Sequence, residues 1–175
     1  MSFATSAYRN SVLNVRNFMF GDIEKTLKLA DDPTVGSPNL LLALGLCCYT
    51  EYWGKLLLGM TRGHGTKGRE VFNAFLKRLD SNYYSNLIKN ADPYGKIRSG
   101  LANSYLINGD LDINTGRKGY HGIDFDPATK KYVFWVGTYF DEFKTAVTNY
   151  IKGLEAGTED LKKFEDCMKD GPELV

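Results

Sequence analysis

Between Leu40 and Leu58 the chain carries an almost unbroken series of Leu, Ala, Cys, Tyr and Trp, and its only acid is Glu51. Such a segment reads as a strongly buried helix, because a helix that is apolar all round needs protein on every side. Ser37 and Pro38 supply a cap and a first-turn proline, and Gly59 ends the helix. The run Leu40–Tyr49 is too short to cross a bilayer and leads straight into Glu51. The rest of the chain therefore has to enclose this segment.

The remaining sequence offers elements for doing so. Val12, Val15, Phe18, Met19, Ile23, Leu27 and Ala30 recur at helical spacing and give a long first helix that closes at Asp31-Asp32-Pro33. The glycine-rich stretch Gly59–Gly68, with Arg62, His64 and Lys67, reads as a surface loop. A third helix carries Val71, Phe72, Phe75, Leu76 and Leu79 and runs on through Tyr83, Tyr84, Leu87 and Ile88 until Asp92-Pro93. Beyond Asn108-Gly109 the pattern changes to short alternating stretches, Leu111–Ile113, Tyr120–Phe125 and Tyr132–Val136. Thr138 with Asp141 then marks a helix start, and Phe140, Phe143, Ala146, Val147, Tyr150, Ile151 and Leu154 form its apolar stripe. Thr158 caps a short terminal helix.

The expected fold is mainly α: a bundle of four to six helices, with a small β-hairpin or three-stranded flap at about 110–137 before the penultimate helix. With 175 residues, 43% of them apolar, residues 1–175 read as a single domain. Lys and Arg number 22 against 21 Asp and Glu, so no global field draws in nucleic acid or an anionic membrane. Any such binding has to be local. Cys47, Cys48 and Cys167 are an odd set without metal-type spacing, which points to reduced, core-packed thiols. The first residues lack a basic stretch followed by an apolar block, and the expected location is cytoplasmic.

The segment Tyr94–Ile107 reads as a helix carrying the most informative chemistry. On a wheel of 100° per residue, Tyr94, Ile97, Leu101 and Tyr105 share a core-facing stripe with Arg98 at its margin. Ser99, Ala102, Asn103 and Leu106 form a small-residue face suited to a second close-packed helix. A guanidinium at a helix N-terminal turn can bind phosphate with two hydrogen bonds, and the helix dipole adds to the attraction.

The run Tyr94-Gly95-Lys96-Ile97-Arg98-Ser99-Gly100-Leu101-Ala102-Asn103-Ser104-Tyr105, preceded by Phe72–Phe75 and Tyr83-Tyr84 and followed by the flap, resembles the HEPN-like family. That family's motif is an Arg followed, after four to six residues, by a His. The resemblance implies a helical bundle that dimerises so that two motifs line one cleft. It also implies metal-independent ribonuclease activity, or binding of RNA or nucleotides without cleavage. Arg98 takes the place of the family's phosphate-binding Arg, and Asn103 the place of its His. Imidazole can take a proton from a ribose 2′-hydroxyl near neutral pH, whereas an amide cannot, and losing such assistance typically costs on the order of a hundred- to ten-thousand-fold in rate.

Substitute bases are His121 in the flap, His64 in the glycine loop and Glu51 in the buried helix. Arg117 and Lys118 beside Tyr120, and Lys130-Lys131 beside Tyr132, combine charge with aromatic rings in a way that suits single-stranded RNA. The bland reading is basic turns and aromatic strands. The expected function is an HEPN-like homodimer that binds RNA or a nucleotide phosphate through Arg98, with Glu51, His121, Arg117 and Lys118 as further contacts and Asn103 leaving little or no nuclease activity. The competing expectation is a non-catalytic protein-interaction or dimerisation domain. Two histidines without clustered carboxylates make a thin ligand set, so neither metal nor cofactor is expected.

Overall fold

The computed structural model describes residues 2–30, 38–60, 67–99, 111–117 and 120–170. The architecture is mainly α with a small three-stranded mixed sheet. After a short 3₁₀ turn come α1 (Arg9–Ala30), α2 (Asn39–Leu58), α3 (Gly68–Leu79) and α4 (Ser81–Ala91). A π-helical segment, Tyr94–Ser99, follows. Then come β1 (Leu111–Asn114), β2 (Ile123–Asp126), β3 (Lys131–Trp135), α5 (Val136–Ala156) and α6 (Leu161–Asp170).

The apolar segment is the centre of the bundle. α2 packs against α1, α3, α5, α6, the π-helical segment and β1. Leu42, Ala43, Leu46, Cys47, Trp53 and Leu56 are all but inaccessible. Trp53 meets Phe75 of α3 and Tyr150 of α5, and Phe75 in turn meets Phe143, so one aromatic chain ties α2, α3 and α5 together. Gly59 ends α2 in the left-handed region at φ 69°, as its place after the last leucine implies.

α2 and α3 approach more closely than side chains normally allow. A β-carbon on Gly54 would overlap the Val71 carbonyl, so Gly54 is what lets the two backbones meet.

Several boundaries differ from the sequence reading, each for a local reason. The third helix is two: Asp80 takes an extended conformation at φ −149° and its carboxylate accepts the Tyr83 N–H at 2.9 Å, starting α4 anew. α5 begins at Val136 directly off β3 rather than at Thr138. α6 is capped by Asp160, which accepts the Lys163 N–H at 3.1 Å, while the Thr158 hydroxyl donates to the Gly153 carbonyl. Phe18, expected on the core stripe of α1, is 62% exposed; Val12, Met19, Ile23 and Leu27 fill that stripe without it.

In the sheet β3 is central, antiparallel to β2 and parallel to β1. Leu111, Ile123 and Phe134 are buried, and Ile113 and Tyr132 pack against the core at its margin. The β2–β3 hairpin was expected; the parallel pairing of β1 with the last strand was not, because no local turn dictates it.

Two consequences are measurable. Gly54→Ala should lower stability by roughly 1–3 kcal/mol, read in urea denaturation, since backbone cannot yield as a side chain can. The hydroxyls of Tyr84 and Tyr139 are pushed well above the ordinary tyrosine value of 10.0, chiefly by burial, and Tyr52 up to about 12 for the same reason. The unfolded chain thus releases protons that the folded chain keeps, and stability should fall as pH rises above 10.0. Phenolate absorbance from these residues should then appear together with loss of helical circular dichroism; ionisation of the buried tyrosines in a still-folded chain would contradict it.

Candidate functional site

The segment that carries Arg98 is shaped at its entrance. Asp92 sits in the left-handed region at φ 46°, a conformation Asp tolerates better than most residues, and its carboxylate accepts the Gly95 N–H at 3.2 Å. A β-carbon on Gly95 would run into that carboxylate. From there the chain turns as a π-helix rather than the α-helix of the sequence reading. A π turn holds more residues than an α turn, so the 100° wheel does not apply between Tyr94 and Ser99, although Ile97 still faces the core.

Arg98 does not stand free at the margin of this segment. Its Nη2 donates to Glu51 Oε2 of α2 at 3.0 Å, with side-chain accessibilities of 18% for Arg98 and 7% for Glu51. The pair is bonded at one point only: Glu51 Oε1 and Arg98 Nε are both buried without a hydrogen-bond partner. Burial opposes the charge on Arg98, but the hydrogen bond it donates to Glu51 and the negative charge there outweigh it and raise the guanidinium pKa, so the cation persists.

Other groups surround the pair. The Tyr94 hydroxyl and Glu51 Oε1 both lie against Gly68, the first residue of α3, where a β-carbon would come within 3.2 Å of Oε1. Burial first, and the charge of Glu51 second, raise the Tyr94 pKa, with Arg98 opposing. Arg69 lies over the Tyr94 ring, 5.6 Å from its centroid, and forms an ion pair with Asp92. The thiols of Cys47 and Cys48 are pushed up mainly by burial; in both, Glu51 adds to the shift and Arg98 opposes it.

The other expected site residues fall elsewhere. His121 is stacked on Tyr83 of α4, ring centroids 3.6 Å apart at 12°, and its Nδ1 lies 3.4 Å from Glu142 Oε1 of α5. Glu142 Oε2 accepts from the Tyr84 hydroxyl at 2.5 Å and from the Gly122 N–H at 3.1 Å. Burial raises the Glu142 pKa, while those bonds and His121 oppose the rise. Asp124 completes this group, accepting from the Tyr83 hydroxyl at 3.0 Å and from the Tyr120 and His121 N–H groups. The His121 and Arg98 groups share no hydrogen-bond or ion-pair partner among the described residues.

Arg117 pairs with Asp141 at 2.9 Å on the outer surface. Lys131 pairs with Asp112 at 3.2 Å. The flap does reach the Arg98 segment, where Lys96 Nζ sits 5.2 Å from the centre of the Tyr132 ring. Asn103, His64 and Lys118 lie outside the described residues.

Glu51 and Arg98 are thus the two expected residues that the fold brings together. Tyr94, Gly68 and Arg69 join them without having been singled out for this site. The one signal for Gly68 and Arg69 was their place at the end of the glycine-rich loop, on the threshold of α3. Among the described residues, no group of three His, Cys, Asp or Glu side chains is placed to hold a metal ion, and no helix is long and apolar enough to cross a membrane.

The chain matches no known family model, no curated protein and no solved structure.

The linkage between Glu51 and Arg98 predicts an asymmetry in stability. Arg98→Ala leaves a buried carboxylate without its counter-charge and should cost about 3 kcal/mol. Glu51→Gln leaves a neutral amide beside a guanidinium that reaches water, and should cost less. Adding Glu51→Gln to Arg98→Ala should restore part of the loss. Equal, additive losses in urea denaturation would mean that the pair is not coupled.

Proposed function

We propose that the chain is an HEPN-like protein that recognises phosphate, in RNA or a nucleotide, through Arg98 and has little or no ribonuclease activity. The observation that carries this reading is the single-point bond between Arg98 and Glu51. A guanidinium presents five N–H donors in a fixed fork and often meets a carboxylate with two parallel bonds. Here Glu51 takes one bond from Nη2, and the side chain still reaches solvent, where the guanidinium can meet an oxyanion. Arg69, paired with Asp92, lies 5.6 Å from the centre of the Tyr94 ring.

Recognition is better supported than cleavage. Acid–base catalysis at the motif would need an imidazole where Asn103 stands in the sequence, and His121 is committed to Glu142 and Tyr83. Homodimerisation belongs to the same family resemblance, and a cytoplasmic setting goes with the reduced thiols read from the sequence.

Fluorescence anisotropy with a labelled single-stranded RNA at low salt should show binding that Arg98→Ala weakens about tenfold or more, the effect of losing a charge-assisted bond. The RNA should survive incubation in EDTA, and Asn103→His should introduce cleavage that Arg98→Ala abolishes. Efficient cleavage by the native sequence would overturn the non-catalytic reading. The alternative, an interaction or dimerisation domain, is favoured by one observation: Phe18 and Leu41 are large apolar side chains left 62% and 66% exposed. Absence of RNA and nucleotide binding at low salt, with a dimer that dissociates on Ala102→Glu, would decide for it.

A further inference from the structure

We infer that Glu51 is the internal occupant of the Arg98 site: its carboxylate holds the guanidinium that an external oxyanion would bind, and an anion binds Arg98 by taking its place as the guanidinium's partner. This rests on the phosphate-recognition reading above and adds its regulation.

Three features place Glu51 in that role. First, the carboxylate lies between the two kinds of group that attract phosphate in proteins. One is the guanidinium of Arg98, at 3.0 Å. The other is the amino end of the 12-residue helix α3, whose first residue, Gly68, would bring a β-carbon to 3.2 Å from Oε1.

Second, Glu51 is 5% exposed, and Arg98 supplies one hydrogen bond to it where a guanidinium could supply two. A competing anion has to offset the cost of leaving that buried carboxylate without its counter-charge. Arg98 is the more exposed partner, so the guanidinium can turn toward a ligand at the surface while Glu51 stays in α2.

Third, Arg98 is the cation hydrogen-bonded to the Glu51 carboxylate. Arg69 is held by Asp92, and the thiols of Cys47 and Cys48 remain protonated through burial. An incoming anion thus meets a site whose charge is already balanced. At a few ångströms in a half-buried site, removing the opposing charge should raise anion affinity by roughly tenfold or more.

The test is calorimetric titration of the full chain with inorganic phosphate, comparing the native sequence, Glu51→Gln, Arg98→Ala and the double variant. The expected result is a phosphate affinity at least about tenfold higher in Glu51→Gln, and lost in the double variant. Glu51→Leu, which removes the charge and suits the apolar helix, serves the same comparison if the Gln variant does not fold by circular dichroism. If Glu51→Gln and Glu51→Leu bind phosphate no better than the native sequence, while Arg98→Ala abolishes binding, Glu51 is a positioning residue. The internal-occupant inference then falls and phosphate recognition stands. If RNA and phosphate bind none of the proteins, the Arg98 reading itself fails and takes this inference with it.

Discussion

A carboxylate set into the helix at the centre of the bundle has to be neutralised from within. Glu51 occupies that position, and Arg98 answers it from the π-helical segment. Ionised and alone, a buried carboxylate would cost several kcal/mol, so the segment bearing Arg98 is bound energetically to the centre of the fold. Its local geometry follows from that requirement. Asp92 turns the chain in the left-handed region, Gly95 lets the turn close over the Asp92 carboxylate, and Arg69 pairs with the same Asp92 from α3. A site and a structural joint are here the same set of atoms.

The second polar group works differently. His121, Glu142, Tyr83, Tyr84 and Asp124 join the beginning of β2 to α4 and α5, with nearly every polar atom engaged in a bond or a ring contact. It anchors the sheet. The Arg98 group leaves one donor and one acceptor unspent in the interior, and native structures rarely carry such atoms without a reason. The contrast between a satisfied cluster and an unsatisfied one separates the anchoring histidine from the candidate binding arginine, although both looked equally eligible as side-chain types.

What could be read from the sequence follows the physics of short and long range. The buried nature of α2, the stripes of α1, α3 and α5, the glycine stop at Gly59 and the three strands are encoded in periodicity and turn residues, and they are legible one segment at a time. The division at Asp80 was missed because a capping aspartate inside a continuing apolar pattern looks like a surface residue. Phe18 was placed in the core because spacing alone cannot tell which of two adjacent apolar residues, Phe18 or Met19, the neighbouring helix will cover. The pairing of Glu51 with Arg98 joins positions far apart in the chain. Each residue was noticeable for a reason of its own, an acid among apolar neighbours and a basic residue in a motif, and only the packing of α2 against the π-helical segment showed that one explains the other.

The π-helical turn also governs how this stretch can change over time. A segment wound with an extra residue per turn has its register fixed by its length, so removing one residue between Asp92 and Arg98 would rewind it toward an α-helix and swing the guanidinium away from α2. Here a change of a single codon's length would uncouple a charge pair in the interior, making this short stretch intolerant of length variation even where individual side chains are free to vary.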